Sequence, residues 1–391
     1  MRQSRHTTQA DLKTLRLLFA GLAAGDSLGS ATEFMHLDQV PACYRHLREQ
    51  GWPFRQAGSP SRGLASGSPT DDTEMALCMI RSYFREGGFD PQGIAREFVS
   101  WMRGGPRDIG GTTRRTLQIC AEGGRFWEGG LSFWREVPHY AANGSLMRNG
   151  IAAGLAGLTG SSSLERAFDY TLKHGMITHY APLPQICCLA HTYLITELLQ
   201  GRGFEDQWLS GFLGAVEGYL GGTDDGAVLG WLGQVGEDGE FEKAMSLFCR
   251  EIGEMSGSRN CMASNSPGGF DPFRVDYTRG SGYCLLTLKI ALWALCWSLE
   301  DDAYSVPPGF PDEVFAAKGS ARLAWVAMIG HDADTYSAVA GPLISAAAGG
   351  LPPGFTEGLA ALQEFDQITG QAETGRPAKN RVDARRSPKR S

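Results

Sequence analysis

The chain has 391 residues, 42% of them hydrophobic and 20% charged, which is typical of a globular protein. Its formal net charge is −7; residues 371–391 hold seven Lys/Arg and two acids, so the rest carries −12, which argues against a nucleic-acid partner. No apolar run is long enough for a membrane span or a secretory signal, and nine irregularly spaced cysteines favour a reduced, cytoplasmic protein.

Helical patterns dominate from the N-terminus onward. Leu12, Leu15, Leu18 and Leu22 form one stripe of a first helix, and similar helix-length apolar segments recur along the chain while strand-like alternation is rare. We therefore predict an all-α fold. We further predict a flexible N-terminal arm over residues 1–10, a compact single helical domain over 11–370 and a basic disordered tail over 371–391.

The first helix contains an esterase-like motif, "GDSL", at Gly25–Leu28. A nucleophile elbow requires a strand before the serine, whereas the residues before Ser27 predict a helix. No histidine in the chain has an aspartate three residues before it, as the esterase pattern also requires. The motif therefore does not predict an esterase.

The stretch "SPTDDTEMALCMI" places Thr70, Asp71, Asp72 and Thr73 directly before an apolar helical segment. Threonine and aspartate are favoured N-cap residues, and acids in a first turn meet the positive end of the helix dipole. Capping alone would explain this cluster. A second "TDD", at Thr223–Asp225, is followed by glycine and is predicted to cap a surface helix.

A similar acidic cluster lies far along the chain. In "GHDADTYSAVAG", Asp332, Asp334 and Thr335 again precede a helix of small residues. If the two helix starts meet in space, four carboxylates converge, and they cannot all stay ionised without cations. Oxygen ligands of this kind select Mg²⁺, Mn²⁺ or Ca²⁺.

Seven segments in this order resemble the ADP-ribosylglycohydrolase family. They are "GLAAGDSLGSATEF", "SPTDDTEM", "DIGGTTRRTL", "NGSLMRNG", "ITHYAP", "GSGYCLLTLKIALWAL" and "GHDADTYSAVAG". The resemblance implies an orthogonal helical bundle and a metal-dependent hydrolase that removes ADP-ribose from protein side chains. It further implies two divalent cations, Mg²⁺ or Mn²⁺, as cofactors.

The resemblance also implies roles for individual residues. Glu33 or Asp72 would be the catalytic base, and Asp334 would bridge the metals. The metal ligands would be Thr70, Asp71, Asp72, Asp332, Asp334 and Thr335. The substrate-binding residues would be Gly110, Gly111, Thr112, Asn143, Gly144, Ser145, His179, Tyr180, Ser281, Gly282 and Tyr283.

One departure from the family pattern is His331, which stands where glycine is usual. We expect it to be a neighbour of the metal site rather than a ligand. Pro342, inside the last of these helices, should kink it or remove a hydrogen bond. His174 and His191 lack a motif and are expected to be structural.

Arginine is the linkage that the motifs favour, and serine is the nearest alternative. A different class of function is an immunity or antitoxin protein that binds and blocks an ADP-ribosylating toxin, with or without hydrolysis. The expected partners are thus an ADP-ribosylated protein and, for the immunity alternative, a cognate ADP-ribosyltransferase toxin. We expect no association with a membrane, and we expect the protein to be a monomer.

Overall fold

The computed structural model describes residues 9–59, 62–159, 163–204, 207–256, 270–300 and 304–373. This part of the chain consists of α-helices, short 3₁₀ turns and loops, and it contains no β-strand. The all-α prediction is confirmed. None of the described helices is both long and apolar enough to cross a bilayer. The predicted arm and tail lie outside the described residues, except for residues 9, 10 and 371–373, which are helical.

The helices fall into two sets along the chain. The first set is α1 (Gln9–Gly29), α2 (Val40–Leu47), α3 (Asp71–Glu86), α4 (Pro91–Arg103), α5 (Gly111–Cys120), α6 (Glu128–Glu136), α7 (Ala152–Gly157), α8 (Leu164–Met176) and α9 (Pro182–Leu199). The second is α10 (Trp208–Gly222), α11 (Gly226–Gly236), α12 (Glu240–Ser256), α13 (Cys284–Leu299), α14 (Asp312–Phe315), α15 (Leu323–Ala327), α16 (Ala333–Ala348), α17 (Pro353–Thr356) and α18 (Ala360–Glu373).

The two helices at the centre, α1 and α16, are antiparallel and touch through their backbones. Three glycines spaced by four residues, Gly21, Gly25 and Gly29, face α16. A Cβ on Gly25 would lie 2.0 Å from the carbonyl oxygen of Ser337, and one on Gly29 would lie 2.1 Å from that of Ala333. Only glycine permits this approach. The contact brings the C-terminal end of α1 beside the first turn of α16.

Other helices surround this pair and bury it. Helices α9 and α13 pack on α16, α3 packs on α1 and α4, and α18 covers α3. Helix α1 is buried from Gly21 onward and α16 from Ala333 to Ala346, and their apolar side chains belong to one continuous core. The starts of α3 and α16 and the end of α1 therefore meet inside the protein.

Pro342 lies within α16, and the helix continues past it. Proline cannot donate a hydrogen bond to the preceding turn. The carbonyl group that loses its donor is that of Ala338. The neighbouring carbonyl oxygen of Val339 lies 2.9 Å from Nε2 of the buried His191, whose Nδ1 lies 3.2 Å from Nδ2 of Asn149. Donation from Nε2–H and acceptance at Nδ1 satisfy both ring nitrogens. His191 therefore has a structural role, as predicted.

The glycine contact gives a stability prediction. We expect Gly25→Ala to lower the free energy of unfolding by about 1–3 kcal/mol or more, because the added methyl group forces α1 and α16 apart. Gly214→Ala in α10 is the matched control: a Cβ there meets no described atom within 4 Å outside its own helix. The control should gain about 0.5–1 kcal/mol. Urea unfolding followed by circular dichroism measures both, and equal midpoints for Gly25→Ala and the wild type would contradict the contact.

Candidate active site

Asp26, near the end of α1, ties that helix to the start of α3. Its buried carboxylate accepts hydrogen bonds from the backbone N–H of Thr70 at 3.0 Å and from the Thr70 hydroxyl at 2.7 Å. It also accepts from the backbone N–H of Thr73 at 3.3 Å and from the hydroxyl of that residue. Four donors to one buried carboxylate make this a fixed structural joint.

The acidic cluster at the start of α3 does not cap the helix. Thr70 is the N-cap residue, but its side chain makes no capping hydrogen bond. Asp71 accepts from the N–H of Gly110 at 3.4 Å, and Asp72 Oδ2 lies 3.3 Å from the Thr70 hydroxyl oxygen, whose single hydrogen is donated to Asp26 at the shorter distance. By contrast, Asp225 in the second "TDD" caps α11, accepting from two backbone N–H groups at 3.0 and 3.2 Å. The capping prediction is thus confirmed for Asp225, whereas capping does not account for Asp71 and Asp72.

The start of α16 is arranged in the same way. Its N-cap residue, Asp332, makes no capping hydrogen bond. Asp332 Oδ2 accepts from Asn143 Nδ2 at 2.7 Å, and Asp334 Oδ1 accepts from the backbone N–H of Thr335 at 2.9 Å. Oxygen atoms of Asp332, Asp334 and Glu33 all lie within 4.8 Å of one another. Three carboxylates from two distant parts of the sequence therefore converge.

Glu33 lies on a loop that is clasped to the residues before α16. The backbone N–H of Phe34 donates to the carbonyl oxygen of His331 at 2.6 Å, and the N–H of His331 donates to that of Met35 at 2.8 Å. Phe34 and His331 both have positive φ angles, 65° and 57°, which are unusual for residues other than glycine. The imidazole of His331 stacks on Tyr277 with ring centroids 4.0 Å apart.

Arg62 places one guanidinium group among these acids. Its Nη1 contacts Oε2 of Glu33 and lies 3.8 Å from Oδ2 of Asp334, while its Nη2 contacts Oδ2 of Asp108. The guanidinium carbon also lies 5.3 Å from the centre of the Phe34 ring. Arg62 therefore supplies positive charge to carboxylates that are almost completely buried.

Burial and mutual repulsion disfavour ionisation of this cluster. Burial raises the pKa of the Asp71 carboxyl to about 7, and the charges of Asp108 and Asp26 add to the effect. Burial also raises the pKa of Asp72 well above its usual range, and Asp334 is the strongest of the charges that add to it. The pKa of Asp334 is raised in the same direction by burial and by Asp332. The two acidic clusters thus act on each other as near neighbours.

The donor set fits hard divalent cations. Beside the Arg62 guanidinium, the possible ligands at the centre are carboxylate and hydroxyl oxygens, the ligand type that Mg²⁺ and Mn²⁺ select. Oδ1 of Asp72 is buried and has no hydrogen-bond partner among the described residues. A buried carboxylate oxygen without a partner is costly, and a cation ligand would remove that cost.

Several residues expected to bind substrate lie around the acids. The backbone N–H of Asn143 donates to the carbonyl oxygen of Gly282 at 3.0 Å, which joins two of the expected loops. A Cβ on Gly282 would lie 3.8 Å from Asp332 Oδ2, and the hydroxyl of Tyr336 donates to the carbonyl oxygen of Ser281 at 2.9 Å. Gly110 reaches the cluster through its hydrogen bond to Asp71.

Other expected binding residues face away from the acids or line a separate cleft. The Ser145 hydroxyl is buried and accepts from Cys188 Sγ at 3.5 Å. Tyr180 is buried beside Trp134, with ring centroids 5.9 Å apart. A small cleft beside these rings is lined by Thr112, Phe133, Trp134, Tyr140, Thr178, His179, Tyr180, Ala181 and Pro184. Gly111 begins α5, and Tyr283 is the residue before α13.

Three residues of the site were absent from the sequence prediction: Asp26, Arg62 and Asp108. Asp26 carried a local signal, since an acid inside an otherwise apolar helix needs donors when it is buried. Asp108 begins "DIGGTT", the motif in which Gly110, Gly111 and Thr112 are the residues predicted to bind substrate. Arg62 lies in a loop with no pattern, and only the fold reveals its contacts.

Comparisons with known proteins relate the chain to one family. A family model described as ADP-ribosylglycohydrolase matches residues 8–385. The chain is 33% identical over 190 residues to ADP-ribosyl-(dinitrogen reductase) glycohydrolase of Rhodospirillum rubrum, a match that covers 48% of this chain and only 58% of that protein. It is 27% identical over 375 residues to ADP-ribosylarginine hydrolase Tri1 of Pseudomonas putida, covering 93% of this chain and 79% of that protein.

One solved structure has a similar fold. It is described as an ADP-ribosylglycohydrolase-related protein complex, and it matches with a TM-score of 0.56 over 93% of this chain and 99% of that chain. The sequence identity is 23%, so the likeness concerns the fold alone.

Proposed function

Because the chain belongs to the ADP-ribosylglycohydrolase family, we propose that it removes ADP-ribose from modified protein side chains and that arginine is the linked residue. The observation that carries this proposal is the meeting of the two acidic helix starts, where Asp72 Oδ1 is buried without a partner. Arginine linkage is supported by the Tri1 relatives, which match over about nine tenths of the chain. No P-loop motif is present to suggest nucleotide triphosphate hydrolysis.

Two divalent cations, Mg²⁺ or Mn²⁺, complete the proposed site. Thr70, Asp71 and Asp72 would hold them from the start of α3, and Asp332, Asp334 and Thr335 from the start of α16. Asp334 would be the ligand that both cations share, because its carboxylate lies beside those of Glu33 and Asp332 and interacts with that of Asp72 from the other helix start. When bound, the cations supply Lewis acidity toward the hydroxyls of the terminal ribose and toward a water molecule.

The protein's own residues supply the base and the substrate cradle. Glu33, or alternatively Asp72, accepts a proton from the attacking water as its oxygen forms a bond to C1″ of the ribose. The C1″–nitrogen bond breaks, and the proton that the carboxylate took from the water passes to the nitrogen of the departing guanidine, so that one water molecule is divided between the two products. In the described conformation Glu33 is paired with Arg62. The Arg62 guanidinium has to leave Glu33 before that carboxylate can act as a base.

The diphosphate of the substrate needs a local positive field, because the chain outside residues 371–391 carries a net charge of −12 and repels it. Glycine backbone at Gly111 and at Gly282 would provide N–H groups near the acids without side chains in the way, while the N–H of Gly110 donates to Asp71. Backbone N–H groups of this kind, together with helix starts, bind phosphate oxygens. We therefore assign the diphosphate to these loops.

Asp334 gives the most direct test of the metal assignment. We expect Asp334→Asn to weaken binding of at least one cation and to reduce turnover by about 100-fold or more, since it removes the charge shared by the two ions while keeping the side-chain shape. Without metal, the variant should melt at the same or a higher temperature, because repulsion among the carboxylates is relieved. Calorimetric metal titration, ADP-ribose release and melting curves measure these effects.

Asp225→Asn is the matched control for this experiment. It changes the second "TDD", whose aspartate caps α11 and pairs with Lys173 at 2.7 Å, away from the acids of the site. Turnover and cation affinity should stay at wild-type levels, because asparagine caps helices as well as aspartate does. Loss of activity in folded Asp225→Asn, or normal turnover in Asp334→Asn, would show that the site is elsewhere.

Arg62 gives a second test that does not depend on activity. We expect Arg62→Gln to bind Mn²⁺ or Mg²⁺ about tenfold more tightly, since the guanidinium no longer competes for Glu33 and Asp334. With a chelator present, the same variant should melt at a lower temperature, because buried carboxylates lose their counter-charge. Calorimetry and melting curves provide the two readings.

Arg107→Gln controls for removal of one positive charge nearby. Arg107 donates to the carbonyl oxygen of Gly63 at 3.2 Å and makes no ion pair among the described residues. Its substitution should change neither cation affinity nor the metal-free melting temperature. Weaker cation binding in Arg62→Gln would mean that Arg62 supports the loaded site instead of competing with it.

The linkage is tested by two substrates. Arginine- and serine-linked ADP-ribosylated proteins are incubated with the enzyme, with and without Mg²⁺ or Mn²⁺, and released ADP-ribose is measured. We expect release from the arginine-linked protein, only when a cation is present. Release from the serine-linked protein alone would replace the arginine assignment with the serine alternative, and no release from either would refute the proposed activity.

A further inference from the structure

A buried arginine lies behind the expected substrate loop without any acidic partner among the described residues. The guanidinium of Arg148 donates to the carbonyl oxygens of Gly144 at 2.5 Å and His174 at 3.2 Å, and to the Thr178 hydroxyl at 2.6 Å. Its guanidinium carbon lies 4.8 Å from the centre of the Phe98 ring. Burial lowers the pKa of Arg148 to about 10, so the group remains charged at neutral pH.

The Thr178 hydroxyl links this arginine to His179. Arg148 can only donate, so the Thr178 oxygen accepts from it. The same oxygen lies 2.8 Å from Nδ1 of His179. If Nδ1 carried a hydrogen, the threonine would accept from both neighbours, and its own hydrogen would have no acceptor among the described contacts. An unmade hydrogen bond of a buried hydroxyl costs about 1–3 kcal/mol. The favoured arrangement is therefore donation from Thr178 to an unprotonated Nδ1.

The remaining ring nitrogen of His179 faces Gly144. A neutral imidazole whose Nδ1 accepts carries its hydrogen on Nε2. Nε2 is buried and has no hydrogen-bond partner among the described residues. A Cβ on Gly144 would lie 3.1 Å from Nε2 and 2.8 Å from the adjacent ring carbon. Gly144 brings no side chain that could accept this hydrogen, its carbonyl group is held by Arg148, and His179 lines the small cleft described above.

We propose that Arg148 and Thr178 are positioning residues that fix the His179 tautomer, so that its Nε2–H is offered to an oxygen atom of the ADP-ribose moiety. The inference rests on the proposed function for the identity of the ligand only. The order of donors, from Arg148 through Thr178 to His179, follows from the hydrogen-bond network itself. A ring nitrogen without a hydrogen could only accept from a ribose hydroxyl and would repel a phosphate oxygen, whereas an N–H can donate to either oxygen.

The test uses Thr178→Val, which keeps the side-chain shape and removes the hydroxyl. Nitrogen-15 NMR of the histidine side chains, with His179 assigned by its loss in His179→Gln, reports which ring nitrogen carries the hydrogen. We expect hydrogen on Nε2 in the wild type and a mixture of tautomers in Thr178→Val. Affinity for ADP-ribose, measured by calorimetry, should fall about tenfold in Thr178→Val, as for the loss of one hydrogen bond.

Two further variants separate positioning from general damage. Thr178→Ser keeps the hydroxyl and should restore both the single tautomer and the affinity. Thr196→Val removes another buried hydroxyl, one that donates only to its own helix at the carbonyl oxygen of Thr192, and should change neither. A wild-type hydrogen on Nδ1, an unaltered tautomer in Thr178→Val, or an affinity within about twofold of wild type would overturn the proposal.

The experiment distinguishes this inference from the proposed function. If the wild type fails to bind ADP-ribose, the proposed function fails. The tautomer is measured in the ligand-free protein, so that spectrum still decides whether Arg148 and Thr178 fix His179.

Discussion

The backbone contact between α1 and α16 is the constraint on which the site depends. Where Gly25 meets Ser337 and Gly29 meets Ala333, the helices are closer than any side chain would allow. A larger separation would move the end of α1 away from the first turn of α16. Asp26 would then no longer hold the start of α3 beside Asp334. The glycines thus determine how far apart the carboxylates at the starts of α3 and α16 lie, although those carboxylates belong to other helices.

This contact concentrates negative charge where solvent cannot stabilise it. The fold offsets the repulsion between these carboxylates in two ways, one by fixed hydrogen bonds and the other by an ion pair that can be replaced. Asp26 is satisfied by four hydrogen bonds from Thr70 and Thr73, which require no ion. Glu33 and Asp334 share the guanidinium of Arg62, an ion pair that a stronger cation can replace. The same site therefore contains a permanent joint and an exchangeable counter-charge.

The sequence analysis identified those residues of the site whose chemical type is unfavourable in their local surroundings, such as acids in buried helices. Acidic residues such as Asp72 and Asp334, which lie in the first turns of buried helices, are costly unless they bind a partner, and this cost can be recognised from the order of residues. The all-α fold followed from periodicity in the same way. The sequence did not reveal Arg62, because its partners come from other loops. It also did not distinguish the two tautomers of His179, which depend on a hydroxyl and a guanidinium that only the fold brings together.

The clasp between the loop of Glu33 and the start of α16 joins the two ends of the sequence. The Thr32 hydroxyl donates to the carbonyl oxygen of Ala327, 295 positions away. During synthesis, α1 with its row of glycines leaves the ribosome first. It cannot pack against α16 until nearly all the other helices have been made. Contacts so distant in sequence form slowly, and the exposed surface favours aggregation meanwhile. The long exposure of α1 during synthesis is thus a consequence of where the two central helices, α1 and α16, lie in the chain.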